Sequence, residues 1–380
     1  MGKHKIPFNQ PGILGRELEY VRKAIEENKY TGGDGFYGKK CEELLENILD
    51  VSKVLLTTSC THALEIAAIL LQIKPGDEVI LPSFTFVSTA NAFLLRGAKP
   101  VFVDIRPDTL NLDEKKLEFL ITERTKVIVP VHYGGVGCEM DLICKLARKY
   151  SIYIVEDNAH GFLGKYKGRF LGSFGTFGAL SFHETKNFSC GEGGALIIND
   201  KKFIERAEIV REKGTDRAKF FRGEVDKYTW KDIGSSYVLS DILAAFLFGQ
   251  LEKRKFIQEK RKQIWNFYKE NLSDWAISNG VKIPFVPSYC DQSYHLFYIL
   301  LPSYEIRNKL ISHLKKNGIL SVFHYQPLHL SPMGRRFGYR KGDLPVTEDV
   351  SDRLLRLPFY NTMEIWELRE VCKAISEFRI

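Results

Sequence analysis

Ile152-Tyr153-Ile154-Val155-Glu156-Asp157 is a short apolar run that ends in two carboxylates. Its length suits a strand, and the strands of a sheet covered on both faces read as continuous apolar runs of this kind. Going back along the chain, the same texture recurs at residues 127–131, 100–104, 78–82 and 54–57. Segments of helical length separate these runs, among them 61–71, rich in Ala, Leu and Ile, and 85–95. Going forward, 177–182 reads as a further strand. Strands alternating with helices predict an α/β fold, with a mainly parallel central sheet and helices on both faces. The texture changes near residue 250. Residues 250–271 predict one long charged amphipathic helix, 295–301 and 320–324 predict strands, and 304–317 predict a helix between them. The chain therefore divides into a large α/β domain over 1–250 and a smaller α+β domain over 251–380.

Composition narrows the class. The 380 residues carry a formal charge of +8, with 44% hydrophobic and 27% charged residues. The basic residues are spread along the chain, with no concentrated patch or module for nucleic acid, so none is expected as a partner. A basic surface does help to collect anionic substrates. Seven cysteines, an odd number without a CxxC pair, indicate neither a zinc site nor a disulfide framework and suit a reducing compartment. Residues 1–10 are polar, without the apolar centre of a signal peptide, and no stretch reaches the roughly 18 apolar residues of a membrane span. A cytoplasmic location is expected.

Polar residues stand at the predicted strand ends: Thr58-Ser59-Cys60, Ser83-Phe84-Thr85, Asp104, His132-Tyr133 and Asp157. Ligands of open α/β sheets bind at such ends. A nicotinamide site is disfavoured, because Gly32-Gly33-Asp34-Gly35 precedes the sheet and Gly191-Glu192-Gly193-Gly194 leads into a strand rather than a helix. Pyridoxal phosphate fits better. It needs a lysine for attachment, an acid at the ring nitrogen, donors for a phosphate and a flat group against the ring. Asp157 suits the acid, although its position equally suits a helix N-cap. Lys186, in Ser181-Phe182-His183-Glu184-Thr185-Lys186-Asn187, follows a later strand and suits the lysine, although a lone lysine usually lies on the surface. Ser59, Cys60 and Thr61 sit where strand turns to helix and suit a phosphate cup or a plain helix cap, and Ser181 adds a hydroxyl. Phe86 suits ring stacking or core packing. The order along the chain, phosphate turn, aromatic, acid and then lysine, is what discriminates.

Val155-Glu156-Asp157-Asn158-Ala159-His160, the Lys186 segment, Gly191-Glu192-Gly193-Gly194 and Pro82-Ser83-Phe84-Thr85-Phe86 together resemble the DegT/DnrJ/EryC1/StrS sugar aminotransferases. The resemblance runs from Ile6-Pro7-Phe8-Asn9 to near Leu357-Pro358. It implies a fold-type I pyridoxal-phosphate-dependent transferase of the aspartate aminotransferase kind. Within the family, residues 97–113, 129–141, 211–215 and 226–230 look closest to the dTDP-4-amino-4,6-dideoxygalactose transaminases. The resemblance implies that Lys186 carries the cofactor and shuttles a proton and that Asp157 pairs with the ring nitrogen. Ser59, Cys60, Thr61 and Ser181 would surround the phosphate, with Phe86 on one ring face and Ala159 near the other. His160 stands where relatives often carry Gln, and Ser236 where many carry Asn. Gly33, Asp34, His324 and Tyr325 match segments that approach the sugar nucleotide, and a homodimer with shared sites is implied.

The implied reaction takes the amino group of L-glutamate to a nucleotide-linked keto-sugar, dTDP-4-dehydro-6-deoxy-D-glucose, for cell-surface polysaccharide synthesis. C4 amination to the gluco product and C3 amination use nearly the same residues. A dehydratase on the same scaffold replaces the lysine with histidine, which the presence of Lys186 disfavours. A non-catalytic regulator is disfavoured by the intact acid–lysine pair.

Overall fold

The computed structural model describes residues 5–379, so the first four of the polar residues 1–10, and the outermost residues of both expected domains, lie outside it. The strands in chain order are β1 (Lys53–Thr57), β2 (Glu78–Pro82), β3 (Lys99–Val103), β4 (Thr125–Ile128), β5 (Tyr153–Asp157), β6 (Lys165–Tyr166), β7 (Arg169–Phe170), β8 (Phe177–Ser181), β9 (Gly194–Ile198), β10 (Cys290–Asp291), β11 (Tyr298–Leu300) and β12 (Leu354–Arg356). Seven of them form the central sheet in the order β1-β9-β8-β5-β4-β2-β3. The run from β3 to β8 is parallel, while β9 is antiparallel to both β8 and β1. The fold is α/β with a mainly parallel central sheet, as expected. Because β9 reverses direction between two strands, β1 points the same way as β8 and β5. Thr57, Asp157 and Ser181 therefore end on one edge of the sheet.

Alternation of side chains along each strand explains the two helical layers. Leu55, Val79, Leu81, Val127 and Val155 face one side and pack with Ala63, Ala67 and Phe93 from helices Cys60–Leu70 and Val87–Leu94. Their neighbours face the other side. Leu56, Leu180 and Ile197 meet helices Phe36–Leu49 and Asp241–Glu252, and Ile80, Ile128 and Ile154 meet helix Met140–Tyr150.

A separate core forms from the C-terminal part of the chain. Trp265, Tyr268 and Leu272 pack with Phe297, Ile299, Leu314 and Val371, and Ile6 joins them from the start of the chain. Three expectations are corrected here. The charged helix expected over 250–271 is two helices, Asp241–Glu252 and Arg254–Ser278, with Lys253 off helical geometry between them. The turn lets an apolar helix fill the first core while the next aims its Ile264, Trp265 and Tyr268 stripe at the second. Residues 320–324 form no strand. Only Val322 pairs, with Arg356, and Leu320 donates to Ile6 O instead, so the segment leaves the ladder carrying His324 towards the sheet edge. The strand over 295–301 shortens to Tyr298–Leu300, because the His295 carbonyl is taken by the Arg261 guanidinium. Among the described residues no helix is long and apolar enough to cross a membrane.

Candidate active site

Successive side chains at the end of β5 point to opposite faces, and this separates two buried carboxylates. Glu156 is structural. It accepts from His132 Nε2 at 2.8 Å and from the N–H groups of Gly172, Phe174 and Gly175 at 2.8, 2.6 and 2.7 Å. Asp157 faces the sheet edge. One oxygen accepts the Thr89 hydroxyl at 2.7 Å and the other the Ala159 N–H at 3.2 Å. Thr89 Oγ1 lies 2.8 Å from Thr85 Oγ1, and the two threonines sit one helical turn apart. Among the described residues no basic side chain forms an ion pair with Asp157. A buried carboxylate without a cation is costly unless one arrives from outside.

Lys186 lies in the loop between β8 and β9. That loop is closed by Phe182 N–H to Gly193 O and Glu184 N–H to Gly191 O, each at 2.8 Å, and the Lys186 N–H donates to His183 O at 2.9 Å. Burial pushes the Lys186 amine down to about 8, against the pull of Cys60 and Asp157, and the positive charge of Arg356 adds to the fall. A larger share of the amine is then neutral and nucleophilic near physiological pH. A cavity of about 220 Å³ opens at Lys186, bounded among others by Asn9, Glu184, Ser189 and Asn361.

Ser59 caps helix Cys60–Leu70, its Oγ accepting the His62 N–H at 3.1 Å. The N–H groups of Cys60 and Thr61 face outward from the first turn, where no intrahelical acceptor exists. Thr61 Oγ1 donates to Ser88 Oγ at 2.7 Å. Gly194 on β9 pairs with both Thr57 and Ser181, and a Cβ there would come within 2.3 Å of Cys60 N. The absence of a side chain at Gly194 thus lets β9 run against the turn, with Ser59 and Ser181 on its two flanks. Phe86 precedes helix Val87–Leu94 and is 57% exposed, which removes the core-packing alternative for its ring.

His160 stacks on His295 with ring centroids 4.1 Å apart and an interplanar angle of 18°. Its Nδ1 accepts the Gly134 N–H at 3.4 Å and its Nε2 lies 3.5 Å from the Tyr325 hydroxyl. Burial, with the charges of Lys186 and Arg356, holds His160 well below the usual imidazole range, so it is neutral. His295 Nδ1 lies 2.8 Å from Asn187 Oδ1, and Asn187 Nδ2 donates to Ser293 O at 2.7 Å, which makes His295 Nδ1 the donor. His324 Nδ1 is 3.1 Å from the Tyr133 hydroxyl.

Lys186, Asp157, Ser59, Cys60, Thr61, Ser181, Ala159, His160, His324 and Tyr325 therefore converge on one edge, with Phe86 beside them. Gly33, Asp34 and Ser236 are held by other contacts, although Tyr237, next to Ser236, accepts the Thr58 N–H at 2.9 Å. Asp34 pairs with Arg211, Gly33 bridges Ser240, and Ser236 is exposed and bridges Glu212. Asp104, at another strand end, is taken up structurally. It accepts from the N–H groups of Val346 and Thr347 at 3.2 and 2.8 Å, at the start of helix Pro345–Arg353. Thr85 stood among the polar residues at the predicted strand ends without a role, and Thr89, Asn187, His295 and Arg356 are additions of the structure. Only the two threonines carried a usable signal, hydroxyls at i and i+4 opening a helix.

The donor set fits pyridoxal phosphate. A buried acid has no ion-pair partner among the described residues, a lysine of lowered pKa lies within reach of its charge, and open N–H groups with hydroxyls flank the turn at β1. Residues 12–376 match the model of the DegT/DnrJ/EryC1/StrS aminotransferase family. The chain is similar to the GDP-perosamine synthase of Escherichia coli O157:H7, 31% identical with 98% of this chain and 97% of that one covered. It is likewise similar to the spore coat polysaccharide biosynthesis protein SpsC of Bacillus subtilis, 31% identical with 98% and 97% covered. Among solved structures it matches the PMP form of the sugar aminotransferase Spr1654 from Streptococcus pneumoniae, with a TM-score of 0.90, 27% identity and 98% of each chain covered. The chain belongs to the DegT/DnrJ/EryC1/StrS aminotransferase family and is a pyridoxal-phosphate-dependent sugar aminotransferase.

Proposed function

We propose that this enzyme transfers the amino group of L-glutamate to C4 of dTDP-4-dehydro-6-deoxy-D-glucose, giving dTDP-4-amino-4,6-dideoxy-D-galactose and 2-oxoglutarate. The observation that carries the aminotransferase part is the buried Asp157, without an ion-pair partner among the described residues, within reach of the charge of the lowered Lys186 amine. In this reading Lys186 holds the cofactor and Asp157 holds the proton on its ring nitrogen. Ser59, Cys60, Thr61 and Ser181 take the phosphate, Phe86 and Ala159 flank the ring, and His160 donates from Nε2 to its phenolic oxygen. When bound, the cofactor supplies an electron sink for the carbon that bears the nitrogen. Lys186 Nζ then moves the proton to and from that carbon in both half-reactions, as an amine with a pKa near working pH does efficiently. Gly33, Asp34 and Ser236 act across a homodimer interface, and His324 and Tyr325 meet the sugar. The product feeds cell-surface polysaccharide synthesis in the cytoplasm, in keeping with the sequence segments that resemble the galacto-forming branch. The name of the Escherichia coli relative favours a second reading, in which a GDP-linked keto-sugar is the acceptor.

The test is incubation with L-glutamate and either the dTDP- or the GDP-linked 4-keto-6-deoxy sugar, followed by NMR of the product. The expected outcome is a galacto-configured 4-amino sugar from the dTDP substrate. A Lys186→Ala variant should lose about two to four orders of magnitude in kcat. An equatorial C4 amine, a C3 amine, or turnover of the GDP sugar alone would displace this assignment.

A further inference from the structure

His160 and Lys186 stand on two different loops of the sheet edge, one after β5 and one between β8 and β9. Both must keep their place for the chemistry proposed above, His160 with Nε2 towards the phenolic oxygen and Lys186 with its amine at the reacting carbon. Hydrogen bonds alone hold the His160 ring poorly. Its contacts with the Gly134 N–H and the Tyr325 hydroxyl, at 3.4 and 3.5 Å, lie at the outer limit for such bonds. The close contact is with His295, whose ring is stacked on it at 4.1 Å and 18°. The stack therefore sets the plane of the His160 imidazole.

Lys186 is held through its neighbour. Asn187 is buried, and both ends of its side chain and its carbonyl are taken by residues from the C-terminal part of the chain. Its Nδ2 donates to Ser293 O at 2.7 Å, its Oδ1 accepts from His295 Nδ1 at 2.8 Å, and its carbonyl accepts from Asn361 Nδ2 at 2.9 Å. The short segment 293–295 that holds Asn187 also holds residue 160, because the Ser293 hydroxyl donates to His160 O. This close approach requires a glycine opposite. At Gly135, whose φ is +84°, a Cβ would stand 1.9 Å from Ser293 Oγ and 2.8 Å from His160 O. The segment is fixed in turn by Arg261, which donates to the carbonyls of Tyr294 and His295 and to Asn361 Oδ1. His295 is thus one side chain that touches both loops. Burial, with the nearby His160, Lys186, Arg261 and Arg356, holds it well below the usual imidazole range. Its ring is neutral, and its single N–H is the one on Nδ1.

We propose that His295 is a positioning residue that couples the two loops: its Nδ1–H fixes Asn187, and with it the backbone of Lys186, while its ring face fixes the plane from which His160 donates. This deepens the aminotransferase reading and rests on the roles given there to Lys186 and His160. His295 acts through these two residues and transfers no proton itself.

Two substitutions separate the two contacts. His295→Asn keeps an N–H the same number of bonds from Cα as Nδ1 and removes the ring, and His295→Phe keeps a flat ring and removes the donor. The first readout is the pH midpoint for acylation of Lys186 in cofactor-free protein, near 8 in the wild type. It should rise by about one unit in His295→Phe, as the loosened lysine meets water, and stay within about 0.3 unit in His295→Asn. The second readout is the pH midpoint of the visible absorbance of the holoenzyme. A donor at the phenolic oxygen favours its anionic form, so this midpoint should rise by about one unit in His295→Asn, where His160 loses its plane, and stay within about 0.3 unit in His295→Phe. A role in packing alone would move both readouts together. Parallel shifts in both variants, or none in either, therefore overturn the proposal. If one variant does not fold, the other decides, since a shift in the readout it should spare, or none in the readout it should move, overturns the coupling as well. If neither folds, Asn187→Ala, which removes the acceptor of His295 Nδ1, should raise the Lys186 midpoint by the same amount, and an unmoved midpoint overturns the proposal. The Lys186 midpoint needs neither cofactor nor sugar, so a wild type that aminates no keto-sugar rejects the proposed reaction and leaves this coupling to be decided by the variants.

Discussion

Lys186 is one of 55 basic residues, and what distinguishes it is the cost of charging it in place. Desolvation lowers its pKa to about 8 from an ordinary 10.5. Between those two pH values the unfolded chain binds more protons at this residue than the folded one. Stability therefore rises with pH across that window, and the penalty is present in full below pH 8. Reactivity reports the same shift. In cofactor-free protein, acylation of Lys186 by an amine-selective reagent, followed by peptide mass spectrometry, should show a midpoint near pH 8. A midpoint with the bulk lysines, above about 10, would remove the argument for a preactivated amine. The candidate lysine was legible from its segment and its place after a strand. Its lowered pKa was not, because desolvation arises from groups distant in sequence, with Cys60, Asp157 and Arg356 setting the local charge.

The elements owe their existence to apolar alternation and their arrangement to polar pins at the strand ends. Asp104 follows β3 and joins the sheet to helix Pro345–Arg353. Its carboxylate accepts from Ile105 N–H, from Thr347 N–H and Oγ1, and from Lys116. Burial alone would raise its pKa, but the hydrogen bonds from Thr347 and the others outweigh burial and the net direction is down. A depressed carboxylate contributes stability above its unfolded pKa, about 3.9, and loses it as pH falls through the folded value. Asp104→Ala should cost about 1–3 kcal/mol in urea unfolding at pH 7, by stripping a helix start of its acceptor. The gap between variant and wild type should narrow below about pH 4. A gap that holds constant with acidification would mean that packing, not charge, is the contribution. The sheet strands and most helices could be read from their apolar runs. The break at Lys253 and the loss of the strand over 320–324 could not, since each depends on which of two cores the next side chains fill.

At the scale of the molecule, exposed apolar side chains gather on the segment leading to Ser236, one of the residues proposed to act across a dimer interface. Phe221, Tyr228 and Ile233 are exposed near Trp230, which is 80% exposed, on the segment that leads to Ser236. Clustered apolar exposure of this kind marks association. Trp230→Glu should shift sedimentation from two chains towards one and lower turnover in parallel, because Gly33, Asp34 and Ser236 are proposed to act across the interface. A fully active single chain would show that these three residues have no part in the site.

The sequence by itself determined the α/β alternation, the acid and lysine at successive strand ends, and the family motifs. Each of these is local, set by periodicity within a strand or helix and by residue type at its end. The tertiary structure alone decided that Asp157 has no ion-pair partner among the described residues while Glu156, its neighbour, accepts from a histidine. It also decided that His160 stacks on His295, and that Arg356 is left without an acceptor. Those facts depend on tertiary packing, which brings together groups from 24 to more than a hundred residues apart.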